Sequence, residues 1–201
     1  MPMSKSVCRS AVLACALVFT AFAALVLPVY SASGWAVQDV DGVAVLSGGL
    51  SLALDSGGNP HLAYVYAPAG SSQTGGHVDV HMNPQSLVYA SWNGKTWETQ
   101  TLDNFYIANL SQVFFSLSYS SLKLDTQNNP HLVYSVPNLN KTSQYLLKYA
   151  SWNGIAWDIQ TVDYGIRGAL ALDSSGNPHI AYSGADGQLC YASWNGFWII
   201  E

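Results

Sequence analysis

One thirteen-residue segment that occurs three times constrains this chain more than any other feature. Leu52-Ala-Leu-Asp-Ser-Gly-Gly-Asn-Pro-His-Leu-Ala-Tyr64 returns as Leu122-Lys-Leu-Asp-Thr-Gln-Asn-Asn-Pro-His-Leu-Val-Tyr134, and again as Leu170-Ala-Leu-Asp-Ser-Ser-Gly-Asn-Pro-His-Ile-Ala-Tyr182. Each copy is followed by Tyr-Ala-Ser-Trp-Asn-Gly, beginning at Tyr89, Tyr149 and Tyr191, and then by a second tryptophan, Trp97, Trp157 or Trp198. The tails Trp97-Glu-Thr-Gln-Thr-Leu-Asp103 and Trp157-Asp-Ile-Gln-Thr-Val-Asp163 match, and Trp35-Ala-Val-Gln-Asp-Val-Asp41 repeats that tail alone near the start. A chain built this way folds one supersecondary unit several times, and each unit buries a face against the next.

Each unit reads as four short strands. Leu52 and Leu54 alternate with Ser51 and Ala53, the period of a strand. Asp-x-x-Gly-Asn-Pro is turn chemistry: the aspartate caps, the glycine supplies positive φ and the proline punctuates. Leu62, Tyr64 and Tyr66 alternate with His61, Ala63 and Val65 in the second strand, residues 87–92 make the third, and Asn93-Gly94 leads into a fourth that starts at Trp97. Helical periodicity is absent outside the N-terminal apolar run.

The register of the last hairpin follows from a deletion. A two-residue Asn-Gly loop pairs Ala90 with Trp97, but the third copy is one residue shorter (Trp194-Asn-Gly-Phe-Trp198), and the same loop there flips Trp198 to the other face. Loops of four, four and three residues instead set Trp92 opposite Trp97, Trp152 opposite Trp157 and Trp194 opposite Trp198. Such cross-strand aromatic pairs add roughly 0.2–1 kcal/mol each.

Repeated four-stranded meanders of about 40–45 residues are the pattern of propeller blades. The spacing from Tyr149 to Tyr191 is 42 residues. The motif Leu-Asp-Ser-x-Gly-Asn-Pro-His-Ile/Leu-x-Tyr, then Tyr-Ala-Ser-Trp-Asn-Gly-x-x-Trp, resembles the β-propeller repeats of exported prokaryotic proteins, many of them uncharacterised. The expectation is an all-β, β-propeller-like array of three antiparallel meander blades (about 50–103, 120–163 and 169–201) with a leading strand at about 35–41. Closed propellers need about four to eight blades. Three blades imply a fragment of a longer protein, a ring completed by self-association of several chains, or an open arc.

Lys5 and Arg9 precede an apolar run over residues 11–27 that Pro28 ends, with small residues at Ser31, Ala32 and Ser33. That is the layout of a secretory signal peptide over residues 1–32. The alternative is an uncleaved N-terminal anchor, the one case in which the chain contacts a membrane. The expected location is therefore secreted or cell surface. Cys8 and Cys15 fall in the signal, which leaves Cys190 alone in the mature chain and forbids an intrachain disulfide or a cysteine zinc site. Cys190 aligns with Lys148 and Val88.

Charged residues make up 9% of the chain, against about 25% in an ordinary domain. After residue 32 there are 5 basic and 12 acidic residues, a net −7. That excludes charge-driven disorder and argues against a nucleic-acid partner.

In a meander, the turns between strands 1 and 2 and between strands 3 and 4 share one end. Here they are short and uniform. Length variation falls at the other end, in residues 67–86, 103–120 and 137–144. Insertions gathered on one face of a repeat protein commonly mark its binding face. The first insert holds His77, Asp79 and His81, which project to one side of an extended strand and have the donor chemistry for a divalent metal; otherwise they are a solvated loop. Asn109-Leu-Ser111 and Asn140-Lys-Thr142 are glycosylation acceptor patterns on the same face.

Recurring residues point first to architecture. His61, His131 and His179, the aspartates Asp55, Asp125 and Asp173, and the tryptophans fit turn closure and packing between units. The sharper alternative is a set of equivalent ligand pockets between blades, with aromatic faces for sugars, as in propeller lectins. The sialidase propellers use a cluster of three arginines, whereas the mature chain has Arg167 alone, and Glu98 is its only glutamate before Glu201. Gly-x-Ser-x-Gly, His-Glu-x-x-His and phosphate-loop motifs are absent from the sequence. The expected role is a non-catalytic binding or adhesion module without a cofactor, engaging a glycan or surface protein through the long-loop face. The alternatives are a structural segment of an envelope assembly and, further off, a glycoside-acting enzyme.

Overall fold

The computed structural model describes residues 29–30, 36–42, 49–66, 73–74, 77–78, 84–106, 120–141 and 144–201. The charged and apolar parts of the expected signal segment, Asn109, Asp79 and His81 lie outside the described residues. The chain divides into two compact units, Met1–Asp39 and Val40–Glu201. In the first, β1 (Val29–Tyr30) pairs antiparallel with β2 (Ala36–Val37). Val40 and Asp41, the end of the leading tail, belong to the second.

The second unit is all-β, with no helix among the described residues. Repeat one consists of β3 (Ser51–Leu54), β4 (Pro60–Tyr66), β7 (Pro84–Trp92) and β8 (Trp97–Tyr106), an antiparallel sheet in that order. A small hairpin, β5 (Gln73–Thr74) and β6 (His77–Val78), lies in the long insertion between β4 and β7. Seven further strands follow: β9 (Ser121–Leu124), β10 (Pro130–Pro137), β11 (Tyr145–Trp152), β12 (Trp157–Leu172), β13 (Pro178–Gly184), β14 (Leu189–Trp194) and β15 (Trp198–Ile200). They hydrogen-bond in sequence order as one sheet because β12 is shared. Its first half pairs with β11 as far as Tyr164, and its second half pairs with β13 from Gly165 onward. Repeats two and three therefore meet within one sixteen-residue strand rather than across a loop.

The repeated turns explain the repeated sequence. Asp55 Oδ1 accepts the backbone N–H groups of Gly57 and Asn59 (2.8 and 2.7 Å), and Oδ2 accepts from Asn59 Nδ2 (2.9 Å). Asp125 and Asp173 do the same in their repeats. The residue before each Asn-Pro has a left-handed backbone, with φ of 81° at Gly58, 65° at Asn128 and 82° at Gly176. Asparagine tolerates that conformation, so the second repeat needs no glycine there. At the other turn, Trp92 pairs with Trp97, Trp152 with Trp157 and Trp194 with Trp198, the register that the shortened third hairpin requires. Cys190 stands opposite Tyr182 as Lys148 stands opposite Tyr134 and Val88 opposite Tyr64.

Consecutive repeats pack face to face. Leu122, Leu132, Tyr134 and Ala150 of repeat two lie against Ala63, Val65, Leu87 and Tyr89 of repeat one. Leu170, Ile180, Tyr182 and Ala192 of repeat three lie in the same way against Val133, Leu147 and Tyr149 of repeat two. Three polar contacts recur at these junctions. The tyrosine of strand two donates to the tail aspartate of the preceding repeat, Tyr134 to Asp103 (3.0 Å) and Tyr182 to Asp163, and Asp41 of the leading tail receives Tyr64 in the same role. The indole N–H of Trp157 donates to Gln100 (2.9 Å), and that of Trp198 to Gln160 (3.1 Å). Leu122 N–H donates to Ser51 Oγ (3.1 Å), and Leu170 N–H to Ser121 Oγ (3.2 Å).

Gly165 sits where β12 changes partner. A Cβ there meets Ser183 O and Tyr182 Cδ2, both at 2.6 Å, and the backbone oxygen cannot swing aside. Gly165→Ala is expected to destabilise the fold by about 1–3 kcal/mol, the cost of overpacking. Chemical denaturation of the variant against wild type measures it.

Candidate functional site

The site is assembled from the end of one repeat and the first turn of the next. In each repeat the aspartate of the first turn, the histidine of strand two and the tyrosine of strand three form a chain. His61 Nδ1 bonds Tyr89 OH, His131 Nδ1 bonds Tyr149 OH, and His179 Nδ1 bonds Tyr191 OH. The opposite ring nitrogen faces an aspartate Oδ2, at 3.7 Å from Asp55, 3.5 Å from Asp125 and 3.8 Å from Asp173. These distances exceed a normal hydrogen bond, so the attraction is electrostatic. Burial holds His61 and His131 below the ordinary imidazole value despite the neighbouring carboxylates. Burial also pushes the Tyr89 and Tyr149 hydroxyls up to about 12. At neutral pH the imidazole is therefore a neutral acceptor, and the phenol is its donor.

Between repeats two and three this chain presents Tyr149 to an open pocket of about 260 Å³. Repeat two contributes Tyr149, Ser151, Asp158 and Gln160, and repeat three contributes Gly176, Asn177, Pro178 and Trp194. Most of the polar groups are already oriented. Trp198 Nε1 donates to Gln160 Oε1, and Gln160 Nε2 donates to Asp158 Oδ2 (2.6 Å). Asn177 is fixed by Asp173. Trp198 packs edge-on against Tyr149 (centroids 5.4 Å apart, 75°) and against Trp194 (5.2 Å, 64°). The result is a preformed concavity with two aromatic rings, a carboxylate and two amides, suited to a ligand with both hydroxyl groups and an apolar face.

The junction of repeats one and two carries the matching residues Tyr89, Ser91, Glu98, Gln100, Asn129 and Trp152. Tyr89 packs edge-on against Trp157 (5.2 Å, 69°) as Tyr149 does against Trp198. Its polar wiring differs. Glu98 Oε1 accepts from Asn93 Nδ2 (2.6 Å) rather than from the glutamine, and Asn128 ties this turn to repeat one through Ser56.

The six tryptophans expected as stacking or structural aromatics do not all play one role. Trp157 and Trp198 are clamped by glutamines, and Trp194 lines the pocket. Trp92 packs on Trp97 (5.6 Å) and Trp152 on Trp157 (5.7 Å) across their hairpins. This pocket lies at the tight-turn end, opposite the long-loop end where the insertions gather. Of the expected metal ligands, His77 lies on β6, while Asp79 and His81 are outside the described residues; no cluster of three ligating side chains occurs among the described residues. Asn140 is exposed in the turn after β10.

No family model matches the chain, and no curated protein matches it. Among solved structures, the chain is similar to a fucose lectin from Kordia zhangzhouensis, determined in complex with methyl-fucoside. The TM-score is 0.45 and the identity 18%, over 76% of this chain and 97% of the lectin.

Proposed function

We propose that this chain is a secreted or cell-surface, non-catalytic module that binds glycans, with its three meanders acting as successive blades of a propeller-like array. The observation that carries the reading is the pocket between repeats two and three. It combines the aromatic rings of Tyr149 and Trp194 with Asp158, Gln160, Asn177 and Ser151; His131, Trp198 and Asp173, outside the lining, hold Tyr149, Gln160 and Asn177. A sugar offers such a site an apolar ring face and directional hydroxyls. Asp158 is the single carboxylate in the lining, whereas glycoside hydrolysis ordinarily uses two. The signal-like N-terminus supports export.

A glycan array followed by tryptophan-fluorescence titration tests this. Trp194→Ala is expected to weaken binding of the best glycan about 2- to 12-fold, the effect of losing an aromatic contact worth about 0.5–1.5 kcal/mol, and Asp158→Asn is expected to change which glycan is preferred. An array with no bound glycan, or a bound glycan indifferent to both substitutions, overturns the reading.

A further inference from the structure

Asparagine followed by glycine is a chemically labile pair. The glycine nitrogen can attack the asparagine side chain, because no Cβ on the glycine stands in the way. The chain has three such pairs, Asn93-Gly94, Asn153-Gly154 and Asn195-Gly196, one at the tip of the last hairpin of each repeat. All three asparagines are exposed, and the three glycines share a left-handed backbone, with φ of 91°, 92° and 80°. One reactive pair is thus present in three copies, and only the hairpins around it differ.

In repeats one and two the asparagine side chain is held. Asn93 Oδ1 accepts the backbone N–H groups of Lys95 (3.0 Å) and Thr96 (2.9 Å), and its Nδ2 donates to Glu98 Oε1 (2.6 Å). Asn153 Oδ1 accepts the backbone N–H groups of Ile155 and Ala156, both at 2.9 Å. The second of these bonds comes from the fourth residue of the loop. The third hairpin lacks that residue, since Phe197 is followed at once by Trp198, the partner of Trp194. Asn195 N–H closes the shorter loop by donating to Phe197 O (3.0 Å), but the Asn195 side chain makes no hydrogen bond among the described residues.

We propose that Asn195 is a site of spontaneous deamidation, and that loop length confines the reaction to this one of the three pairs. Gly196 N attacks Asn195 Cγ. The N–Cγ bond forms, the Cγ–Nδ2 bond breaks, and the amide leaves as ammonia, carrying the proton of the Gly196 N–H. Water then opens the resulting succinimide at either carbonyl, which leaves aspartate or isoaspartate. To bring Cγ onto the glycine nitrogen, Asn93 and Asn153 must first give up the bonds on Oδ1, whereas Asn195 has none to give up. Either product places a carboxylate beside Trp194, which lines the pocket, and isoaspartate also lengthens the hairpin backbone by one carbon. The chemistry is the same whether or not that pocket takes a glycan.

The test is peptide mapping by mass spectrometry of the folded full chain after days in mildly alkaline buffer. Asn195 is expected to convert at least about tenfold faster than Asn93 or Asn153, the effect of two bonds that need not break first. In urea the three are expected to convert at similar rates, because the hairpins are gone. An alanine inserted between Phe197 and Trp198 restores the four-residue loop and is expected to slow Asn195 to the rate of Asn153. Deletion of the exposed Ala156 gives repeat two the short loop, and is expected to make Asn153 as fast as Asn195 is in wild type. The wild-type comparison stands even where a loop variant fails to fold. Equal rates at the three positions in the folded chain, no conversion at Asn195, a fast Asn195 in the lengthened hairpin, or the same tenfold difference in urea overturns the proposal.

Discussion

Leu147→Ala is expected to cost about 2–5 kcal/mol, while Leu189→Ala, the same repeat position one unit later, is expected to change the stability of the dilute monomer by less than about 0.5 kcal/mol. Leu147 is fully buried among Val133, Leu170 and Ile180, so truncating it removes transfer free energy and leaves a cavity between repeats two and three. Leu189 occupies the same place on strand three but faces open space. Leu87→Ala is expected to side with Leu147, because repeat two covers it. Urea denaturation of the three variants at micromolar concentration decides the matter. Equal losses at all three positions would mean that stability resides within each repeat rather than at the junctions.

That contrast also marks what the sequence can say. Leu87, Leu147 and Leu189 are indistinguishable in their local pattern, because alternation reports which side of a strand a residue faces and not what covers it. The strands, their antiparallel order and the register of the tryptophan pairs were legible, since each rests on local spacing, and the shortened third hairpin eliminated the competing register. The tail residues were legible only as a recurrence. Gln100, Gln160, Asp103 and Asp163 owe their role to partners in the next repeat, 19 to 57 residues away. No local pattern reports such a partner. The shared strand β12 was likewise hidden: the expected bounds of 120–163 and 169–201 left out residues 164–168, where Gly165 and the bulge near Arg167, whose φ is 62°, carry the strand from one repeat into the next.

The candidate pocket follows the same logic. Every residue in it was visible as part of a repeat, and the idea of pockets between units was available. Its composition was not, because Asp158 and Asn177 come together only when the fourth strand of one repeat meets the first turn of another. Counting loop lengths directed attention to the end with the insertions. The described pocket lies at the end whose turns are short and uniform, because those turns are rigid enough to hold Asn177 and Trp194 at fixed places.

Acid is expected to act on the same residues. His61 and His131 have folded values below the ordinary 6.5, with burial as the main cause. The unfolded chain therefore takes up these protons first. The stability these histidines contribute is fully present above about pH 6.5 and is lost as pH falls through their lower folded values. Asp55 and Asp173, held low by bonds from Asn59 and Asn177, add a second loss below about pH 3.8 of the same sign. Urea midpoints are thus expected to be level from about pH 8 to 6.5 and to fall below it. His131→Asn is expected to lower stability at about pH 7.5 by roughly 1–3 kcal/mol, since Tyr149 OH loses its buried acceptor, and to reduce the slope below pH 6.5. Midpoints that stay level down to about pH 5 would mean that His61 and His131 take up protons as readily in the folded chain as in the unfolded one. Tyr149 belongs both to this chain and to the pocket lining. Protonating His131 turns its Nδ1 from acceptor to donor and releases the tyrosine hydroxyl. Glycan affinity is therefore expected to fall in the same acidic window, before the protein unfolds.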